Sequence, residues 1–251
     1  MDLPEKPMRT MHLFAGVGGG ILADMLLGHR PVCAVEIDPY CQAVLLARQA
    51  DGCIPAFPIW DDARTFDGRP WRGCVDVVAA GFPCQPFSVA GKRAGSSDER
   101  NMWPDTIRIL REVGPRYAML ENVPGLLADQ YARTIFGDLA TMGMDARWGC
   151  ISARVVGGRI LRKRVFVVAT TAKVDLASRF GSWNEQRFAE EIRWWGKNSP
   201  IGPSGYGPSW TNEPNVGRVA YGVARRVDRI RATGNAQVPG VAATAWRMLT
   251  E

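Results

Sequence analysis

Apolar residues in this chain fall into short runs, most of them closed by glycine or by an acidic residue. Residues 9–14 lean apolar and end in the glycine-rich turn Ala15-Gly16-Val17-Gly18-Gly19-Gly20, which predicts a strand and a tight turn. Residues 21–27 then read as a helix closed by Gly28. A second strand is expected over 31–35, ending at Glu36-Ile37-Asp38-Pro39, with a helix over 39–49 behind it. The run 75–80 reads as a buried strand leading into Gly81-Phe82-Pro83-Cys84. Further on, the pattern predicts a helix over 106–113 and a strand over 117–120 that closes on Glu121-Asn122. It adds a strand over 164–169 and a C-terminal helix running to about Leu249.

Strands alternating with helices predict an α/β fold around a doubly wound, mostly parallel sheet of the Rossmann-like kind. Such sheets bind ligands beyond the carboxyl ends of their strands. Each polar motif above directly follows a strand, which places them all along one edge. After about residue 171 the texture changes: Trp183, Trp194, Trp195 and Trp210 stand among Gly, Pro, Asn and Ser. The expected division is a larger domain, 1–171 plus 232–251, carrying a small loop-rich second domain over 172–231. The chain re-enters the larger domain through Gly234-Asn235-Ala236-Gln237-Val238-Pro239.

Composition narrows the class. Over 251 residues, 46% are hydrophobic and 22% charged, as in an ordinary globular protein, and no apolar run is long enough to span a bilayer. The first residues lack a signal-peptide profile, so a cytoplasmic protein is expected. Six cysteines without a Cys-x-x-Cys pair, and only two histidines, argue against a metal site and against a disulfide scaffold. The net charge of +6 permits a polyanionic partner. Five arginines, Arg218, Arg225, Arg226, Arg229 and Arg231, crowd one stretch near the C-terminus.

Three groups of residues carry candidate chemistry. In the turn at Gly16, Gly18 and Gly19, the missing Cβ atoms let a ligand approach the backbone. The sequence departs from the dinucleotide fingerprint, which needs a further glycine three positions on. Glu36, at the end of the next strand, suits the two hydroxyls of a ribose, and Asp62 could accept from an adenine amine. Cys84 follows a rigid proline at the top of a buried strand, beside Lys92 and Arg93. Those surroundings favour the reactive thiolate.

With these residues in place, the chain resembles the DNA cytosine-5 methyltransferase family. The resemblance rests on Phe14-Ala15-Gly16-Val17-Gly18-Gly19, Gly81-Phe82-Pro83-Cys84-Gln85-Pro86-Phe87-Ser88, Glu121-Asn122-Val123, Arg162-Lys163-Arg164 and Gly234-Asn235-Ala236, in the family's order. It covers nearly all of the chain except about 171–215. It implies methyl transfer from S-adenosylmethionine to C5 of a cytosine flipped out of double-stranded DNA, through a covalent adduct between Cys84 and C6. In that scheme Glu121 holds N3 and the exocyclic amine, while Arg162 and Arg164 hold the base carbonyl or a phosphate. The cofactor would lie against Phe14, Gly16, Gly18, Gly19, Glu36, Ile37, Asp62, Ala63, Pro83, Asn235 and Val238. Phe82, Gln85, Ser88, Asn122 and Val123 would line the substrate side. A mobile lid over 88–100 and a monomeric enzyme, with no metal and no membrane association, complete the expectation.

The chain departs from the family where Arg159-Ile160 stand in place of a Pro-Gln pair. The segment 216–229 is also unlike its counterpart. Three alternatives stay open: a tRNA cytosine-5 methyltransferase, a C5 alkyltransferase using a modified donor, and an inactive DNA-binding relative. The Gly81-Phe82 pair before Pro83 favours DNA, since the RNA-acting relative usually carries two prolines there. The target sequence and any restriction partner are not encoded in a form that can be read.

Overall fold

The computed structural model describes residues 7–83, 101–128, 130–158, 162–171 and 226–250, without side chains at 226, 229, 230, 233 and 235. Seven strands form one sheet in the order β3-β2-β1-β4-β5-β7-β6. They are β1 (Arg9–Leu13), β2 (Arg30–Val35), β3 (Ile59–Trp60), β4 (Val77–Ala80), β5 (Tyr117–Asn122), β6 (Asp145–Ser152) and β7 (Lys163–Thr170). Strands β1 to β5 pair in parallel, whereas β7 runs antiparallel to both β5 and β6. The order reverses between β1 and β4, so the crevice of this doubly wound sheet opens beyond their carboxyl ends.

Helices cover both faces, as the alternation along β1 requires. Met11 and Leu13 point into the core that contains Trp103, Ile107, Leu110 and Val113 of α3 (Trp103–Val113) and Ile135 and Leu139 of α5 (Tyr131–Thr141). Those side chains recur at helical spacing, and each fully buried one stabilises by about 1.5–3 kcal/mol. Thr10 and His12 face the other way, toward Asp24 of α1 (Gly19–Leu27). On that side α7 (Pro239–Thr250) buries Val241, Ala245, Trp246 and Leu249 against Val77, Phe166 and Val168. Between α1 and α3 lies α2 (Pro39–Ala50), started by Asp38, whose carboxylate accepts from the Tyr40 backbone N–H at 2.9 Å. The short α4 (Gly125–Ala128) follows β5.

Several elements differ from the pattern-based expectation. Helix α3 starts at Trp103 rather than at 106, with Pro104 in its first turn. Strand β5 runs through Glu121 and Asn122 instead of stopping before them, because both residues pair with β7. Strands β3 and β6 and helix α5 were not anticipated. A further helix, α6 (Arg226–Asn235), spans the position where the smaller domain was expected to end. Residues 172–225 of that domain lie outside the described residues.

Candidate functional site

The site is assembled at the carboxyl edge of the sheet from the segments that follow β1, β2, β3 and β4 and from the end of β5. The chain leaves β1 through Phe14, the only non-glycine residue at positive φ (57°) among the described residues. Gly16 follows at φ 55°, a conformation that costs any residue with a Cβ about 1–2 kcal/mol. Its N–H donates to Glu36 Oε2 at 2.6 Å, and the Asp38 N–H donates to Glu36 Oε1 at 2.7 Å. Glu36 is thus pinned across the β1–β2 crevice with lone pairs to spare. Burial pushes its carboxyl up, and the two backbone donors oppose that.

Beside Glu36 a cleft of about 280 Å³ is lined by Phe14, Val35, Ile37, Asp62, Ala63, Arg64, Pro83 and Met102. One aromatic ring, apolar walls and a few convergent polar groups suit a nucleoside. The structure brings Phe14, Ile37, Asp62, Ala63 and Pro83 together here and sets Gly16 and Glu36 at its edge through their mutual hydrogen bond. Arg64 and Met102 were missed. The Asp62 carboxylate is forked by its neighbour: Arg64 Nε reaches Oδ1 and Oδ2 at 3.0 Å, and Arg64 Nη2 donates to Oδ2 at 2.7 Å. The Arg64 guanidinium holds that carboxyl below its usual range. An Asp-x-Arg spacing was the available sequence signal.

The second half of the site lies between β4, β5 and β7. Phe82 is buried against Trp103, ring centroids 5.5 Å apart, and its carbonyl accepts from Asn122 Nδ2 at 3.3 Å. The Asn122 Oδ1 accepts from the Val123 N–H at 2.9 Å. Asn122 therefore ties the end of β5 to the loop at Pro83, while Phe82 faces the core. Glu121, 8% exposed, stands at the same edge. Arg164 Nε is 3.0 Å from its Oε1, an ion pair with poor alignment. Among the described residues no donor is properly aimed at that buried oxygen. Burial raises the Glu121 carboxyl, and the charges of Arg164 and Arg162 pull it back down.

Arg162 is engaged within the protein. Its Nη1 donates to the Gly234 carbonyl at 2.6 Å and its Nη2 to the Ala236 carbonyl at 2.7 Å. It binds the end of α6 to the sheet. Gly19 packs against the segment so held: a Cβ there would lie 2.2 Å from the Gln237 carbonyl oxygen. Gly18 forms the N-cap of α1, and Val238 accepts from the Val241 and Ala242 N–H groups at the start of α7. Cys84, Gln85, Ser88, Lys92 and Arg93 lie outside the described residues, as does the side chain of Asn235.

A Rossmann-like sheet with a ligand cleft at its switch point and a buried carboxylate beside it defines the class: an α/β fold of the class I methyltransferase kind. Comparison with known proteins is more specific. Residues 8–214 match the family described as C-5 cytosine-specific DNA methylase, and the chain belongs to that family. The type II methyltransferase M.NgoMIV of Neisseria gonorrhoeae is 37% identical over 168 residues, 64% of this chain and 51% of that protein. M.HpaII of Haemophilus parainfluenzae is 32% identical over 174 residues, 66% of this chain and 47% of that protein. The chain spans about half or less of the length of such curated relatives. Among solved structures, Spodoptera frugiperda DNMT2 superposes with a TM-score of 0.55 at 22% identity, covering 67% of this chain and 51% of that one. A putative DNA modification methyltransferase encoded within an Escherichia coli prophage also gives 0.55, at 24% identity, covering 65% and 46%. These likenesses support the fold.

Proposed function

We propose that the protein is a DNA cytosine-5 methyltransferase with Cys84 as nucleophile and S-adenosylmethionine as donor. The observation that carries this reading is that two features flank the segment 81–83, which leads into Cys84. On one side is the nucleoside-sized cleft; on the other is Glu121, buried, its Oε2 3.4 Å from where a Cβ of Gly81 would stand and its Oε1 met by no well-aimed donor among the described residues. Pro83 lines the cleft, and Cys84 is the next residue in the chain.

The residues present fit the donor. Glu36 keeps free lone pairs for a ribose, Phe14 offers a ring face, and Asp62 stands at the wall for an adenine amine. S-adenosylmethionine, when bound, supplies the electrophilic methyl that an activated C5 takes up. Cytosine C5 is by itself a poor nucleophile. Addition of the Cys84 thiolate to C6 places electron density at C5, and Glu121 steadies N3 and the amine as charge develops there. Burial, which raises the Glu121 carboxyl, favours its sharing a proton at N3. Loss of the C5 proton and expulsion of the thiolate restore the free Cys84. A base inside the duplex is out of reach, so the substrate is flipped out.

The test compares the wild type and Cys84→Ser on duplex DNA with S-adenosylmethionine, followed by digestion and mass spectrometry of the nucleosides. We expect 5-methylcytosine from the wild type alone. Equal product from both proteins would remove Cys84 from the mechanism. A larger C5 substituent, or methylation confined to tRNA, would replace the donor or the substrate.

A further inference from the structure

The proposed reaction needs Glu121 held in one orientation beside the loop that leads to Cys84, and Arg164 Nε stands 3.0 Å from one of its oxygens, Oε1. The other faces a residue that the family motifs do not place in the site. Gln237 sits in the short connection between α6 and α7. Its Nε2 lies 3.3 Å from where a Cβ of Gly81 would stand, and Glu121 Oε2 lies 3.4 Å from the same point. The two polar ends thus converge on the same point, and a carboxylate can only accept, so the amide is the donor of this pair and helps to hold the Glu121 carboxyl down. At its other end Gln237 Oε1 lies 2.8 Å from the Cβ position of Gly20, next to His12 Nδ1 at 3.0 Å.

We propose that Gln237 is a positioning residue for Glu121, spanning from the glycine turn after β1 to the carboxylate at the end of β5. The connection that carries it is held from two sides. Arg162 binds the carbonyls of Gly234 and Ala236, and Gly19 admits the Gln237 backbone where any Cβ would collide. Gly20 and Gly81 leave room for the side chain at both ends. The residue type follows from what surrounds it. Arg164 and Arg162 already bring positive charge to Glu121, and the His12–Asp24 pair lies behind the glycine turn. A third cation would clamp the carboxylate in its charged form. A leucine would leave Oε2 buried and dry. A neutral donor of this length orients the carboxylate and lets it share a proton with the base.

This inference rests on the proposed reading of Glu121, and its test separates the two. Protein labelled with 13C at the glutamate carboxyl carbons is titrated without DNA or donor, the Glu121 signal being assigned through Glu121→Gln. In Gln237→Leu the Glu121 midpoint moves upward, because a donor to its charged form is lost. Turnover falls by about tenfold or more, while KM for the donor stays within about twofold. In Gln237→Glu the new carboxyl donates only when protonated, so activity relative to wild type recovers on acidification and collapses as pH rises. Should Gln237→Leu fail to fold, Gln237→Asn, one methylene short, is read in the same titration. A Glu121 midpoint indifferent to Gln237 overturns the inference whatever the activity. A wild type that makes no 5-methylcytosine overturns the function reading and leaves the titration to stand alone.

Discussion

At the scale of single residues, the site depends on atoms that are missing. Glycine at 19 lets the connection between α6 and α7 lie directly on the turn after β1, and Gln237 can reach Glu121 only while that contact is kept. The nearest atom to a Cβ at 19 is backbone, which cannot swing aside as a flexible side chain would. We expect Gly19→Ala to cost about 2–3 kcal/mol, an overpacking penalty, and to lower Tm by about 5–10 °C. Gly28 is the control. It has positive φ, 74°, which Gly19 does not, yet no atom lies within 4 Å of its Cβ position, so Gly28→Ala costs only the strain of about 1–2 kcal/mol. Calorimetric melts of the two variants decide the point: equal losses would show that close approach at residue 19 carries no weight.

At the scale of elements, Arg162, next to β7, ties the end of α6 to the sheet. The carbonyls at a helix C-terminus lack partners within the helix, and α6 has no basic residue in its last turn. Arg162 supplies two donors in a planar fork from across the sheet. A lysine is a point charge and cannot satisfy both carbonyls at once. Arg162→Lys is therefore expected to cost about 1–2 kcal/mol and to speed amide exchange at Ala236, Val241 and Ala242. Exchange at those amides unchanged from wild type would refute this role. The same contact shows why some elements were legible in the sequence and others were not. Strands β1, β2, β4 and β7 are buried on both faces and so read as apolar runs. Strand β6 is an edge strand whose Arg147 and Gly149 break the pattern, and β3 is only two residues long, held by backbone bonds such as Glu36 N–H to the Trp60 carbonyl. Helix α5 carries Gly137 amid its apolar spacing. Glycines and carboxylates of the site were readable because each follows a strand. The Arg64 fork needed only a local spacing, but Arg162 and Gln237 act across 72 or more residues, where periodicity carries no signal.

At the scale of the whole molecule, stability against pH is set by buried carboxylates that pull in opposite directions. Asp24 of α1 accepts from the Thr10 hydroxyl, pairs with His12 Nε2 at 2.6 Å and faces His29 Nδ1 at 3.7 Å. Burial alone would raise its carboxyl, but the charge and hydrogen bond of His12, with His29 and Thr10, bring it down to about 2. An unfolded aspartate titrates near 3.8. The native state therefore binds fewer protons than the unfolded chain between those values. The stabilisation is complete above about pH 4 and is lost as pH falls toward 2, an amount of about 2 kcal/mol. Glu36 and Glu121 have the opposite sign: raised in the fold, they favour the native state below the ordinary glutamate range and lose that contribution as pH rises. Acid unfolding should thus be steeper through Asp24 than through the carboxylates that serve the site. Replacing Asp24 by Asn leaves His12 with an uncharged partner and removes the titration. We expect the variant to lose about 3 kcal/mol at neutral pH. Below pH 4 its urea midpoint should fall less steeply than that of the wild type. Parallel curves for the two proteins between pH 4 and pH 2 would place the acid sensitivity elsewhere and leave the Asp24 cluster as packing alone.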